Sequence, residues 1–367
     1  MPLIICANLR NLRIKNVCYQ SVTGYQNVDH RRQELLEIRC QNAKVAFFLP
    51  GTFAAGFFVH DSAKQLALNE YTRSLLESWA WNGIHLNLPD DWEMIQFSKD
   101  SRSGRCAFAD RYQLRFELNW AVVDGPPDFA RMVSDYKAKL AAEEVTDLRS
   151  VQHAPWYGVF GRENKLPISR YGAFFPARSL LLEIVFLWPE KQKANNAFEG
   201  YVMDGVRVPA QNDSALRQWR AFGIDATVPE DHELVECKVH TAYAEMLFAD
   251  QKERCQESFL RRGMLSEWLD QPLQEWLESQ LPQGYTVVTR RQSTHAGHEC
   301  WLLEARITRP VLKDWLWGTR HYQACAWVCP KDKRLHMFSR IAHQSRKAPA
   351  ALPDIRMACC PDHQRGF

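Results

Sequence analysis

The sequence predicts an α+β protein made of two tandem copies of one unit. Each copy is a mostly antiparallel sheet with packed helices, and an N-terminal appendage precedes the pair. Three observations point there. Residues 74–110 and 214–250 align without a gap at an offset of 140, with 11 identities in 37 positions, where chance gives roughly two. Trp79 meets Trp219, Gly83-Ile84 meets Gly223-Ile224, Pro89 meets Pro229, and Phe108-Ala109-Asp110 meets Phe248-Ala249-Asp250. Each copy also carries short stretches that alternate apolar and polar residues, the mark of half-buried strands. Finally, each copy sets a long helical stretch among those strands, and that order implies a sheet with helices layered on it.

A chain of 367 residues accommodates two domains and a further segment. Hydrophobic residues make up 46% and charged residues 24%, the balance of a soluble globular protein. A net charge of +3 is too mild to argue for nucleic acid by itself. The 13 Trp, 11 Tyr and 19 Phe suit aromatic sheet cores, with an exposed aromatic binding face as the sharper alternative. The 11 cysteines are scattered and odd in number, and no secretory leader begins at Met1. Together these read as a reduced, cytoplasmic chain.

Residues 1–73 form the appendage, without sustained period and expected to be buried or poorly ordered. Its apolar run 45–59 is 15 residues long and carries Pro50, Gly51 and Gly56. A membrane span needs about 20 apolar residues, so none is expected. A helix is expected over 61–76.

The first domain spans 74–188. Ile84, Leu86 and Leu88 alternate with His85 and Asn87 as a strand, which Pro89 ends. Further strands are expected at 92–97, 105–108 and 114–120. Gly125-Pro126-Pro127 stops the sheet, and Asp128 can cap a helix whose apolar face is Phe129, Met132, Val133, Tyr136 and Leu140. Strands at 156–160, 170–175 and 180–187 follow. The last is continuously apolar, as a strand covered on both faces must be.

Residues 189–213 read as a polar linker. The second domain, 214–345, repeats the order with strands at 224–228, 234–239 and 242–248. A helical stretch is expected over 257–269. A second helix follows Pro272 with Leu273, Trp276, Leu277 and Leu281 on its apolar side, and late strands lie at 285–289, 300–307, 322–328 and 335–341. Residues 346–367 form a loosely held tail.

The segment GIHLNLPDDWEMIQFS (83–98), with the strand carrying Phe108-Ala109-Asp110 and the helix after it, resembles the PsbP-like fold. That group includes photosystem II extrinsic proteins, a Ran-binding nuclear import factor and Eag-type chaperones of secreted effectors. The shared feature is an apolar strand ending in a Pro-Asp-x-Trp-like turn, here Leu88-Pro89-Asp90-Asp91-Trp92; the second copy has His232 at the tryptophan position. The resemblance covers about 40 residues at the start of each unit and implies a mostly non-catalytic binding module. It carries over no functional residue, because fold does not determine function.

No phosphate loop, nucleophile elbow or zincin helix is present. The zinc ligands the sequence offers are Cys325, Cys329, Cys359, Cys360 and His363. Against them, Cys325 and Cys329 stand about 13 Å apart along one strand, so the sequence reading assigns no metal and no cofactor. His295 and His298 read as a turn. The paired acids Asp90, Asp91 and Glu93, repeated as Glu230, Asp231 and Glu233, read as solvated turn residues. Between Tyr285 and Lys347 there are 12 Lys or Arg against 4 Asp or Glu. Trp315 and Trp317 lie among them, a mixture that suits phosphate contact and base stacking. The expectation is a non-catalytic binding or adaptor protein whose protein partner meets the second unit through Arg320, Lys331, Lys333, Arg334, Trp315 and Trp317. The alternatives are a nucleic-acid or polyanion binder using the same stretch, and an enzyme with an unfamiliar site.

Overall fold

The computed structural model describes residues 76–190, 194–210, 216–308, 318–344 and 354–360. The appendage 1–73 lies outside the described residues. The chain opens with the hairpin β1 (Leu76–Trp81) and β2 (Ile84–Pro89). Asn82 and Gly83 close it with φ of 50° and 74°, the two positive angles that a two-residue turn matched to strand twist requires. There follow β3 (Glu93–Phe97), β4 (Ser103–Ala109), β5 (Leu114–Val122), helix α1 (Phe129–Ala142), β6 (Thr146–His153), β7 (Trp156–Glu163), β8 (Leu166–Phe175) and β9 (Leu180–Leu187). Asp128 caps α1, its Oδ1 accepting from the Arg131 amide at 3.2 Å. All eight residues of β9 are buried, and β9 lies between β5 and β8.

The stretch read as a linker carries helix α2 (Asn196–Gly205), which buries Phe198, Val202 and Met203. The second hairpin is β10 (Leu216–Ala221) and β11 (Ile224–Pro229), closed by Phe222 and Gly223 at φ 55° and 71°. Next come β12 (His232–His240), β13 (Tyr243–Asp250), β14 (Cys255–Arg262), helix α3 (Leu273–Ser279), β15 (Tyr285–His295), β16 (His298–Ile307), β17 (Thr319–Cys329), β18 (Arg334–Gln344) and the short β19 (Met357–Ala358).

Two seven-stranded sheets result, ordered β3-β4-β5-β9-β8-β7-β6 and β12-β13-β14-β18-β17-β16-β15. Their strands follow one another in the same relative order. The two hairpins join in a third sheet, β19-β11-β10-β1-β2, through an antiparallel β1–β10 contact at Ala80 and Arg220.

The α+β expectation is therefore overturned: the described chain has nineteen strands and three α-helices and is mainly β. The helices have 14, 10 and 7 residues, too few to cover two wide sheets. The apolar faces instead pack sheet against sheet. One continuous core joins Trp79, Ile84 and Leu88 of the hairpins to Phe116 and Phe186 of the first wide sheet, and also to Phe248, Phe259 and Phe338 of the second. Trp79 and Trp219 are both buried, and the rings of Trp81 and Trp219 meet at 5.0 Å. The helix expected over 257–269 is overturned too. Phe259, Leu260, Met264 and Leu265 imitate helical spacing, but Cys255–Arg262 gains a ladder on each side, from β13 and from β18. Such pairing overrides local periodicity.

Among the described residues no helix is long and apolar enough to cross a membrane.

Candidate functional site

Four sulfur and nitrogen side chains converge at one corner of the second wide sheet. The β15–β16 hairpin turns on Ala296 and Gly297, both at positive φ, which sets His298 opposite His295 at the start of β16. In the β16–β17 register Cys300 faces Trp327. Two residues further along, that register brings His298 beside Cys329, the last residue of β17. Cys359 and Cys360 arrive from outside the sheet. They follow β19, whose Ala358 and Met357 pair with Asp225 and Ala226 of β11.

The ligand atoms of His298, Cys329, Cys359 and Cys360 all lie within 4.8 Å of one another. Cys360 Sγ is 3.6 Å from His298 Nε2 and 3.9 Å from Cys359 Sγ. Cys329 and Cys360 are buried, while His298 and Cys359 are half-buried. Beneath them sits the fully buried Trp327, with His295 edge-on at 4.6 Å and His336 stacked at 5.6 Å. His295 Nε2 lies 3.0 Å from the Met357 carbonyl, and His336 Nε2 lies 3.0 Å from Asp332 Oδ2. Burial pushes the Cys359 thiol up to about 12. Burial also lowers the His336 pKa, against the pull of Asp332.

The ligands read from sequence are only partly brought together. Cys329, Cys359 and Cys360 meet. Cys325 lies further back along β17, buried, in contact with Cys300. His363 lies outside the described residues. His298 was read as a turn residue and is the member that sequence reasoning missed. Its signal was the two-residue Ala296-Gly297 turn, which fixes the hairpin register and hence its neighbour on β17.

The basic residues do not form one patch. Arg320 is the second residue of β17, opposite His343, while Arg334 opens β18 opposite Cys329. Lys331 and Lys333 are exposed in the turn beside Arg334. Arg320 and Lys331 therefore stand at opposite ends of a strand, roughly 35 Å apart by strand rise. Trp315 and Trp317 lie outside the described residues.

The acidic turns differ from each other. Asp90 and Asp91 are exposed, but Glu230 is buried between two guanidinium groups. Arg178, which follows β8, reaches its Oε1 at 2.5 Å, and Arg217 Nε reaches its Oε2 at 3.2 Å. A surface depression of about 550 Å³ in the first unit is lined by Glu143, Glu144, Thr146, Arg162, Glu163, Asn164, Lys165 and Glu190. That lining offers no Ser, Cys or His as a nucleophile or imidazole base.

No protein-family profile and no curated protein matches the chain. Among solved structures it is similar to the apo immunity protein TplEi of the T6SS from Pseudomonas aeruginosa, with 9% identity and a TM-score of 0.31 over 76% of this chain and 91% of that one. The same protein complexed with "L" peptide gives 11% identity and 0.28 over 77% and 92%. The cyanobacterial PsbP of Synechocystis gives 12% identity and 0.25 over 38% and 86%.

Proposed function

We propose that the chain is a non-catalytic binding protein built from two like PsbP-type modules, and that a protein partner docks on the second module at the edge strand β15. The observation that carries this reading is a difference between the two wide sheets. Each has a hairpin at its edge, β6–β7 in one and β15–β16 in the other. In the first sheet the 14-residue α1 packs on that hairpin, with Tyr136 and Leu140 against Val159 and Leu148, and no more than two successive residues of β6 are exposed. In the second, α3 has 7 residues and packs further in, against Leu303 and Tyr322. The middle of β15 is left uncovered: Val288, Thr289, Arg290, Arg291 and Gln292 are exposed in succession, and Val288 is 53% exposed.

An exposed edge strand is a template on which another chain can add a strand, with main-chain hydrogen bonds for affinity and side chains for selectivity. Arg291 on that strand favours an acidic partner segment, whereas Arg290 is held by Glu278 at 2.6 Å. The separation of Arg320 from Lys331, Lys333 and Arg334 favours this reading over a polyanion track. A reducing, cytoplasmic setting is part of the proposal and fits the described cysteines, all of which are free thiols.

Quantitative affinity capture with the full chain tests it. A partner held by wild type and lost by the Val288→Lys, Arg291→Glu double variant, at unchanged melting temperature, is the expected result. Capture should persist as salt is raised. A fall of about 10³-fold or more between about 50 and 200 mM salt would instead mark a polyanion ligand. Equal capture by both chains would place the interface elsewhere.

A further inference from the structure

We propose that His298, Cys329, Cys359 and Cys360 bind one structural zinc ion, which fastens the returning C-terminal segment to the second wide sheet. The chemistry of the donors comes first. Three thiolates and an imidazole are soft and borderline ligands, suited to zinc rather than to calcium or magnesium. The geometry agrees. Zinc with Zn–S of about 2.3 Å and Zn–N of about 2.0–2.1 Å in a tetrahedron sets S···S at about 3.8 Å and S···N at about 3.5 Å. The observed 3.9 Å between Cys359 and Cys360 and 3.6 Å between Cys360 and His298 are within a few tenths of those edges, and the other four pairs lie within 4.8 Å, so closure on an ion requires some of them to draw in. Four protein ligands close the coordination sphere, which is the pattern of a structural site rather than a catalytic one.

The two units show what such an ion would replace. His153 faces Trp156 across the β6–β7 turn as His295 faces His298 across the β15–β16 turn. Tyr157 faces Gly172, so the β7–β8 register carries Trp156 to Ala173, as the β16–β17 register carries His298 to Cys329. Where the second unit has a histidine and a cysteine, the first has a buried tryptophan and a buried alanine, with the Trp156 ring packed on Phe175 at 5.8 Å. One corner is filled by an apolar ring and the other by metal-binding side chains.

The segment returning after the last long strand differs in the same sense. In each unit it comes back to the outer strand of the hairpin at equivalent residues. Arg207 bridges to His85 in the first unit, and Ala358 pairs with Asp225, 140 positions after His85, in the second. In the first unit the return is α2, anchored by its buried apolar side chains. In the second, the described return is residues 354–360, whose buried side chains are Met357 and Cys360. Arg356 beside it pairs with the buried Glu257 and its carbonyl accepts from the Thr227 amide, but a two-residue strand is by itself a weak anchor. A metal joining Cys359 and Cys360 to Cys329 and His298 supplies the attachment that the helix face supplies in the first unit, and it closes a long loop between β17 and the return.

The test uses the full chain. Purified under reducing conditions and equilibrated with zinc sulfate, it should retain one zinc per chain after exhaustive dialysis. Cobalt(II) in place of zinc should give the intense visible absorption of a tetrahedral thiolate site. Cys360→Ser and His298→Ala should each lower zinc affinity at least tenfold, whereas Cys325→Ser, outside the cluster, should leave it unchanged. Since a ligand variant can fail to fold, the wild-type chain is also treated with a chelator. Amide exchange should then rise across 354–360 and stay unchanged in β9. Retention of no zinc, retention of iron in its place, equal loss with Cys325→Ser, or a disulfide among Cys329, Cys359 and Cys360 in the reduced preparation would each overturn the assignment.

Discussion

His232 stands where the first copy has Trp92. Trp92 is buried with the Arg115 guanidinium over its ring at 5.5 Å. His232 is equally buried, and its Nδ1 lies 2.9 Å from Asp231 Oδ1. Burial disfavours the charged ring, but the Cys255 sulfur and the Asp231 carboxylate beside it outweigh burial and raise the pKa to about 9. An unfolded histidine titrates near 6.5. The folded value is the higher one, so the stabilisation is fully present below about pH 6.5 and is lost as pH rises towards 9. Denaturant melts at pH 6 and pH 9.5 should differ by on the order of 2–3 kcal/mol more in wild type than in His232→Gln. Equal pH dependence in the two proteins would show that the ring is neutral in the fold. The exchange of tryptophan for histidine was legible in the sequence. The upward shift of its pKa was not, because Cys255 lies 23 residues away and comes beside the ring only after β14 has paired.

At the scale of elements, the twin acidic turns illustrate how one pattern serves two purposes. After β2, Asp90 points into solvent; after β11, Glu230 is enclosed by Arg178 and Arg217. Removing one partner from a buried ion cluster strands the remaining charge, at about 3–5 kcal/mol. Removing a solvated acid changes stability by about 0.5 kcal/mol or less. Glu230→Ala should therefore lower the unfolding free energy by that larger amount, and Asp90→Ala should leave it almost unaltered, as paired urea melts would show. Similar losses for the two would mean that Glu230 is solvated after all. Both acids read as solvated turn residues in sequence. The distinction required Arg178, 52 positions before Glu230, to fold beside it.

At the scale of the whole molecule, the hairpins are shared property. β1 and β10 pair, Trp81 rests on Trp219, and one core runs through all three sheets. Unfolding of either half exposes the aromatic side chains that seal the other. Trp219→Ala should cost about 3–5 kcal/mol and should lower the melting of both halves together, within one cooperative transition. Calorimetry combined with amide exchange in β5 and β14 would reveal two separated transitions if the halves were independent.

Local order is what the sequence determined by itself. The alternation at Ile84, Leu86 and Leu88 marked β2, the apolar run marked β9 as a covered strand, and Asp128 marked the start of α1. Each signal acts within a few residues: side-chain period, capping and turn chemistry are settled by the chain's nearest neighbours. Tertiary structure alone decided which surfaces meet. A period of two says that one face of a strand is buried, without saying whether a helix or another sheet buries it. That is why the layered helices were expected and a third sheet was found. The same limit hid the corner of cysteines: His298, Cys329 and Cys360 belong to separate elements, and only sheet register and the return of β19 to β11 carry them within reach of one ion.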